Sequence, residues 1–316
     1  MDPLSDLLRV VRFDGAYFFN VEAAAPWSIE TVAARELSPR IMPRAEHLIS
    51  YHVIVSGSCW AGLPGKERVE LNKGDVIVFP RGDPHVMSSE ARGQARLRAW
   101  KTRRFASHVK LGPDAPRTVQ LVCGFLGCDR RPFNPLLAAL PRRLHIPCTG
   151  TDWAMEYQRR LTEETHAGRP GANLVLTRLA ELMFVTVLRR YLEDLPEQET
   201  GWLAGLRDAV VGRALALLHA RPDESWTLEK LARESETSRS NLAKRFAHFV
   251  KQPPMHYLAK WRMQIAANRL AQGDEKIAAI AESVGYDSEA AFNRAFKKFA
   301  GSSPGAWRDR TRDATA

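Results

Sequence analysis

The feature that most constrains this 316-residue chain is a near-duplication in roughly its last 90 residues. The first copy is LEKLARESETSRSNLAKRF, Leu228 to Phe246; the second is IAAIAESVGYDSEAAFNRAF, Ile277 to Phe296. Leu228, Leu231 and Ala232 match Ile277, Ile280 and Ala281 at an offset of 49, whereas Ser238, Leu242 and Phe246 match Ser288, Phe292 and Phe296 at an offset of 50. One residue has been added in the turn. Each copy reads as a short helix with Leu or Ile followed by a small Ala for close crossing, a tight turn, a serine at an N-cap position, and a second helix. The second helix turns Leu242 and Phe246, or Phe292 and Phe296, inward. Its outer face is polar and basic: Arg239, Asn241, Lys244 and Arg245 in the first copy, Asn293, Arg294, Lys297 and Lys298 in the second. A helix with this face fits the major groove, about 12 Å wide. A single copy could equally be a scaffold with solvated basic faces; two copies at near-constant offset favour a DNA reader.

The charge agrees. The chain carries 46 Lys and Arg against 36 Asp and Glu, a formal +10. Residues 201–316 hold +6 of it in little more than a third of the chain, and residues 1–200 hold +4. Between the copies, PPMHYLAKWRMQIAANRLAQG reads as one long helix that starts after Pro254 and ends near Gly273, with Tyr257, Leu258, Trp261, Ile265 and Leu270 among its apolar residues. Such a spacer can hold two recognition helices for successive major grooves about 34 Å apart, with some bending of the duplex.

The tract from Trp226 to Arg308 closely resembles the DNA-binding domain of AraC/XylS-type bacterial transcription regulators. The resemblance rests on LARESETSRSNLAKRF, on the linker helix, and on Gly285-Tyr286, Phe292, Arg294, Phe296, Gly301 and Pro304 in the last piece. It implies that Ser240, Asn241, Lys244 and Arg245 contact bases or phosphates, with Arg239 beside them. Glu289, Ala290, Asn293, Arg294 and Lys297 stand on the second recognition helix. Glu236 departs from the family, which has Gly in this turn, so the turn is expected to be strained or differently shaped. Glu289 and Ala290 weaken readout by the second helix, so most sequence specificity is assigned to the first.

The rest of the chain differs in kind. Residues from about 27 to 125 read as short strands, such as HLISYHVIVSG, GDVIVFP and RTVQLVCGF, punctuated by Gly, Pro, Asn and Asp, the pattern of a sandwich or barrel. Asp152–Ala167 and Ala172–Glu193 have helical spacing, and LPEQETG (195–201) reads as a polar linker. Leu174, Leu179, Leu182, Met183, Val185, Leu188 and Leu192 form a wide stripe on the second helix, enough to cover a sheet and also to pair with a second copy of the chain.

Gly74 to His85, GDVIVFPRGDPH, fits the second cupin motif: Gly74-Asp75 turns a hairpin, VIVF crosses the barrel, Pro80 and Gly82 turn again, and His85 points inward. The first cupin motif is degraded, with Ser50 at its usual Glu position and no His between Pro43 and Glu46. Strand alternation puts His52 inside as well. His52, His85 and Cys123 are therefore candidate zinc ligands, with Cys128, His145 or Cys148 as the fourth that a tetrahedral site needs. The alternative is two hydrogen-bonded interior histidines among buried cysteines. The whole N-terminal part also resembles a cupin-containing AraC subgroup with members implicated in sensing reactive chlorine through cysteine oxidation. That makes Cys59, Cys123 and Cys128 candidate redox groups, the last beside basic Arg130 and Arg131.

The expected architecture is an α+β multidomain chain: a cupin-like sensor over 1–150, a helical dimerisation segment over 151–195, a linker over 196–205, and an all-α double helix-turn-helix domain over 206–316. The expected function is sequence-specific regulation of transcription, as an activator, controlled by a small molecule, metal or oxidant at the cupin domain. Double-stranded DNA, a second copy of the chain, an effector and, for an activator, RNA polymerase are the expected partners. A cupin metalloenzyme fused to a DNA-binding domain and an architectural DNA-binding protein are the alternatives. Four cysteines are too few for a disulfide framework, and MDPLSDLLRVVRF lacks the basic segment and apolar run of a leader. Both point to the cytoplasm and away from a membrane.

Overall fold

The computed structural model describes residues 2–11, 13–43, 45–92, 97–98, 108–128, 133–148, 152–167, 169–196 and 198–313. They form two compact units, and neither is continuous in sequence. One comprises Phe13–Cys128 and Pro141–Asp194; the other gathers Met1–Arg12, Asp129–Leu140 and Leu195–Ala316.

The first unit is built on ten strands: β1 (Phe13–Ala23), β2 (Ser28–Thr31), β3 (His47–Gly62), β4 (Val69–Asn72), β5 (Val76–Phe79), β6 (His85–Ser88), β7 (Leu97–Arg98), β8 (His108–Leu111), β9 (Val119–Cys128) and β10 (Leu144–Ile146). The order β7-β2-β6-β3-β9-β1-β8 carries β4, β5 and β10 as side branches. The pivot is β3, at 16 residues longer than the short strand expected there. Its first half pairs with β9 and β5, its second half with β4 and β6. The register on β9 slips between Ile54 and Ser56, and Gly57 follows at φ +74°, where a Cβ would strike the Thr118 carbonyl. A bulge next to a glycine bends a strand, which lets β3 serve both halves of the sheet.

Phe19, Trp27, Ile54, Leu71, Phe79, Leu121 and Phe125 fill the core inside the sheet. The helix α2 (Ala34–Ile41) packs on β3. Helices α4 (Asp152–Ala167) and α5 (Ala172–Glu193) pack on each other and on β1. The bounds of both match the sequence reading. Leu176, Ala180, Met183, Phe184, Val187 and Leu188 make the buried face of α5, and Phe13 meets Phe184 edge to face at 6.0 Å. Leu174 and Leu182, on another face, remain 63% and 59% exposed.

The second unit is helical: α1 (Pro3–Val10), α3 (Pro135–Ala139), α6 (Trp202–Arg207), α7 (Ala209–Ala220), α8 (Leu228–Glu234), α9 (Arg239–Val250), α10 (Pro254–Gln272), α11 (Ile277–Ser283), α12 (Glu289–Ala300) and α13 (Pro304–Asp313). The N-terminal helices α1 and α3 thus pack with the C-terminal helices, unlike the continuous 1–150 segment expected from sequence. Helix α1 touches α7 and α10. The Phe133 N–H donates to Gln264 Oε1 on α10 at 2.8 Å, and its ring meets Tyr257 edge to face. Gln264 is 2% exposed, so this bond replaces water for a buried amide.

Candidate nucleic-acid interface and sensor cavity

Each half of the duplication folds as a helix, a turn and a second helix. In the first, Leu231 and Ala232 of α8 and Leu242 and Phe246 of α9 are buried. In the second, Ile280, Ala281, Phe292 and Phe296 join Met263, Ala266 and Leu270 of α10 and Trp307 in one core. Ser238 Oγ accepts the Asn241 N–H and Ser288 Oγ accepts the Ala291 N–H, both at 3.2 Å. These are N-caps that satisfy donors the helix itself leaves open.

The two turns close alike. Thr237 N–H donates to Ala232 O and Tyr286 N–H to Ala281 O, both at 3.0 Å. Such bonds across a left-handed residue end a helix in a Schellman manner. That residue is Gly285 at φ +77° in the second copy and Glu236 at φ +56° in the first. Glu236 therefore keeps the family's turn shape at a backbone angle that L-residues rarely adopt. Its carboxylate pairs with Arg213 of α7 at 2.5 Å, which holds it below the usual carboxylate range. Gly285 has no such latitude. A Cβ there would lie 2.5 Å from Asp223 O and 2.6 Å from Arg262 Nη2. Arg262, on α10, donates to Pro222 O at 2.7 Å, Glu224 O at 2.9 Å and Gly285 O at 3.2 Å. It bolts the second turn to the loop that precedes α8, a role the sequence did not disclose.

On the outer face of α9, Arg239, Ser240, Asn241, Lys244 and Arg245 are all exposed. Asn241 Nδ2 donates to Thr237 Oγ1 at 2.7 Å. Arg245 is engaged: its guanidinium grips Asp208, the N-cap of α7, with Nε 3.3 Å from Oδ1 and a closer Nη2 contact to Oδ2. Asp208 carries a depressed pKa; burial alone would raise it, but Arg245 and the Val210 and Val211 N–H groups more than offset that. On α12, Glu289, Ala290, Arg294 and Lys297 are exposed, whereas Asn293 is half-buried with its Oδ1 out of water and unpaired.

The interior of the sheet holds the histidines. His52 and His85 meet as expected, but as a hydrogen-bonded pair, Nε2 to Nε2 at 2.7 Å. His85 Nδ1 lies 3.1 Å from Asp83 O and 2.9 Å from Thr31 Oγ1. A carbonyl only accepts, and the Thr31 hydroxyl donates to His85 O, so Nδ1 carries the His85 proton. His52 Nε2–H must then donate to the His85 Nε2 lone pair, and His52 Nδ1 is left as a buried acceptor with no partner. His85 also stacks on Phe79 at 3.9 Å between centroids. Burial pushes the His85 pKa down to about 4 and lowers that of His52 as well. Both rings are neutral at pH 7.

This geometry bears on two expectations. First, the inward nitrogens of His52 and His85 are spent on each other. Cys123 faces His52 across the β3–β9 ladder, yet among the described residues no group of three His, Cys, Asp or Glu is placed to hold a metal ion. His52, His85 and Cys123 thus do not stand as a three-ligand group. His145 instead sits 3.0 Å from Asp75 Oδ2, and the Cys148 N–H donates to Asp75 Oδ1. Second, Cys59, Cys123 and Cys128 are all buried. Burial pushes the Cys59 thiol up to about 12 and raises that of Cys123 well above its ordinary range. A redox thiol needs the opposite, an exposed and stabilised thiolate. Arg130 and Arg131 lie outside the described residues.

Beside His52 the sheet encloses a cavity of about 30 Å³. Apart from Trp27, Thr31, His52 and Cys123, its lining side chains are hydrocarbon or thioether.

The comparisons agree with this construction. Residues 2–193 match the Cupin family, and residues 231–310 match the helix-turn-helix domain family. A Streptomyces lividans protein named as an AraC-like transcription regulator is 34% identical over 320 residues, 98% of each chain. The chain belongs to the AraC-type transcription regulators. It is also similar to the RCS-specific HTH-type transcriptional activator RclR of Escherichia coli K12, at 27% identity over 99% of each chain. The solved DNA-binding domain of AdpA in complex with a target DNA matches at 27% identity and a TM-score of 0.31, covering 32% of this chain and 92% of that one. As an AraC-type regulator the protein binds double-stranded DNA. No helix among the described residues is long and apolar enough to cross a membrane.

Proposed function

We propose that the protein is a dimeric, cytoplasmic activator that reads its operator mainly through α9 and whose DNA affinity is set by an effector in the sheet interior. One observation carries the DNA part: two serine-capped helices present exposed polar faces after turns of the same form. Arg239, Ser240, Asn241 and Lys244 of α9 are assigned to the major groove and its flanking phosphates, with Arg294 and Lys297 of α12 as a weaker second contact. Arg245 is assigned mainly to Asp208. RNA polymerase is the expected partner once the operator is bound. The exposed Leu174, Val175 and Leu182 on α5 are assigned to a second copy of the chain, so Leu182→Glu should give monomers by sedimentation. The sequence has no complete first cupin motif and the structure no metal-ligand set among the described residues, so nothing favours the metalloenzyme reading.

Footprinting upstream of the protein's own gene and its neighbours tests the assignment. Lys244→Ala should weaken binding to all duplexes and lower the salt slope by about 1, as for one lost phosphate contact. Unchanged affinity and slope would remove Lys244 from the interface.

A further inference from the structure

Phe133 lies within the 2–193 stretch that matches the Cupin family, yet it packs among the C-terminal helices. Its partners stand on α10, the helix on which both copies of the duplication are built. The Phe133 N–H holds Gln264 Oε1, the ring meets Tyr257 edge to face at 5.7 Å, and Lys260 Nζ stands 5.5 Å from the ring centroid. Positions 257, 260 and 264 share one face of a helix, so a single residue grips α10 over about two turns. Behind it, Asn134 caps α3, and Leu136 and Leu140 are buried. Helix α3 packs on α6, and α6 packs on α9.

Tyr257 carries this grip to the first recognition helix. It is fully buried. Its hydroxyl accepts the Trp202 indole N–H at 2.8 Å and meets His219 Nε2 at 2.7 Å. Phe246 of α9 meets its ring edge to face at 5.8 Å, as Phe133 does from the strap. Helix α12 reaches α10 by a separate route, with Phe292 and Phe296 in one core with Met263, Ala266 and Leu270. The separation of the two recognition helices is therefore set by how each packs on α10, and the packing of α9 includes Phe133. We propose that Phe133 is a positioning residue for DNA recognition: acting through Tyr257, it fixes α9 relative to α12 and so sets the half-site spacing that the protein accepts. This rests on the reading that α9 and α12 both engage the duplex. Interiors are close-packed, so loss of the Phe133 ring leaves a void into which Tyr257, and Phe246 with it, can shift. Base pairs are stacked about 3.4 Å apart, so even a small shift of α9 changes the register between half-sites.

The test uses the full chain and a duplex that wild type selects from a random library, remade with one base pair inserted between the two segments that footprinting protects. Wild type should lose about tenfold in affinity on insertion, the size of one spoiled base-pair contact. Phe133→Ala should lose about threefold or less, because α9 can follow the displaced half-site. Each penalty is a ratio of two affinities on the same preparation, so a smaller folded fraction cancels, and a residue that merely stabilised the fold would not move it. Phe133→Leu refills most of the void and should restore most of the penalty. Gln264→Met cuts the bond to the Phe133 N–H at nearly constant volume, so it reports even where Phe133→Ala folds poorly, and it should lower the penalty in the same direction. An insertion penalty equal to that of wild type in both Phe133→Ala and Gln264→Met would overturn the proposal. A wild type indifferent to the insertion would overturn the two-helix reading itself, and the proposal with it.

Discussion

The two helix-turn-helix copies share a backbone and differ in what their surfaces can do. Superposed in sequence at the offset of 50, Arg239 corresponds to Glu289, Ser240 to Ala290, Asn241 to Ala291, Lys244 to Arg294 and Arg245 to Ala295. The first recognition helix opens on a cation and two polar side chains, Arg239, Ser240 and Asn241. The second opens on a carboxylate and two alanines, and concentrates its charge at the far end in Arg294, Lys297 and Lys298. A helix N-terminus already carries partial positive charge, and in this motif it is the end that reaches base edges. Arg239 adds to that field and Glu289 cancels it. One scaffold, copied, thus presents a cationic, polar start in the first copy and an acidic, small-residue start in the second, the difference on which the proposed assignment of readout to α9 rests.

The copies also differ in how their turns are secured, and the largest expected effect lies there. Gly285→Ala puts a Cβ against Asp223 O and the Arg262 guanidinium and imposes left-handed strain. It should cost about 3 kcal/mol of stability by thermal melting. Arg262→Lys should cost about 2 kcal/mol, because an ammonium cannot hold three carbonyls arranged for a planar fork. A Gly285→Ala protein that melts like wild type would mean the second turn tolerates what the first does, and the contrast would fail.

Next is DNA affinity. Arg239→Ala should weaken the specific operator by about tenfold, and Glu289→Ala should strengthen it slightly or leave it unchanged. Equal losses from Arg239→Ala and Arg294→Ala would make the two helices equal partners and break the assignment of readout to α9. Arg245→Ala sharpens the point from another side. Its partner Asp208 is 5% exposed at the side chain, so removal strands a buried carboxylate. The variant should lose stability by about 2 kcal/mol. Removing Asp208 as well, Asp208→Asn with Arg245→Ala, should recover part of that. A loss of DNA affinity with no loss of stability would return Arg245 to the groove.

How far the sequence reached follows the same divide between local and distant causes. Periodicity located α4 and α5, and periodicity with a serine or proline start located α9, α10 and α12, because a helix records its buried side in a repeat of three or four. The inward pointing of His52 was likewise legible from strand alternation, and that of His85 from the second cupin motif. What local pattern cannot carry is the identity of a distant partner. Nothing near Arg245 announces Asp208, 37 residues earlier. Asn134-Pro135 marks a helix start, and Asn134 does accept the Leu137 N–H, but no local signal says that this helix packs with the C-terminal unit. The surroundings of the thiols were illegible for the same reason. Their candidacy came from the resemblance, whereas the burial that raises the Cys59 and Cys123 pKa comes from strands distant in sequence.

The smallest effect is the most diagnostic of the comparison. Glu236 holds a left-handed backbone angle where the second copy has glycine. The two angles differ by little, and both turns make the same pair of backbone bonds. Glu236→Gly should therefore stabilise by up to about 1 kcal/mol through relief of that strain. Two opposing terms reduce the gain. Glycine is more flexible in the unfolded chain, and the Arg213 pair is lost, although with side chains 45% and 77% exposed such a pair contributes little. Glu236→Ala isolates the balance: it loses the same ion pair but keeps the strain, so it should be no more stable than wild type. If Glu236→Gly and Glu236→Ala melt together, the first turn carries no strain that glycine can relieve, and the difference between the copies reduces to the side chains on their outer faces.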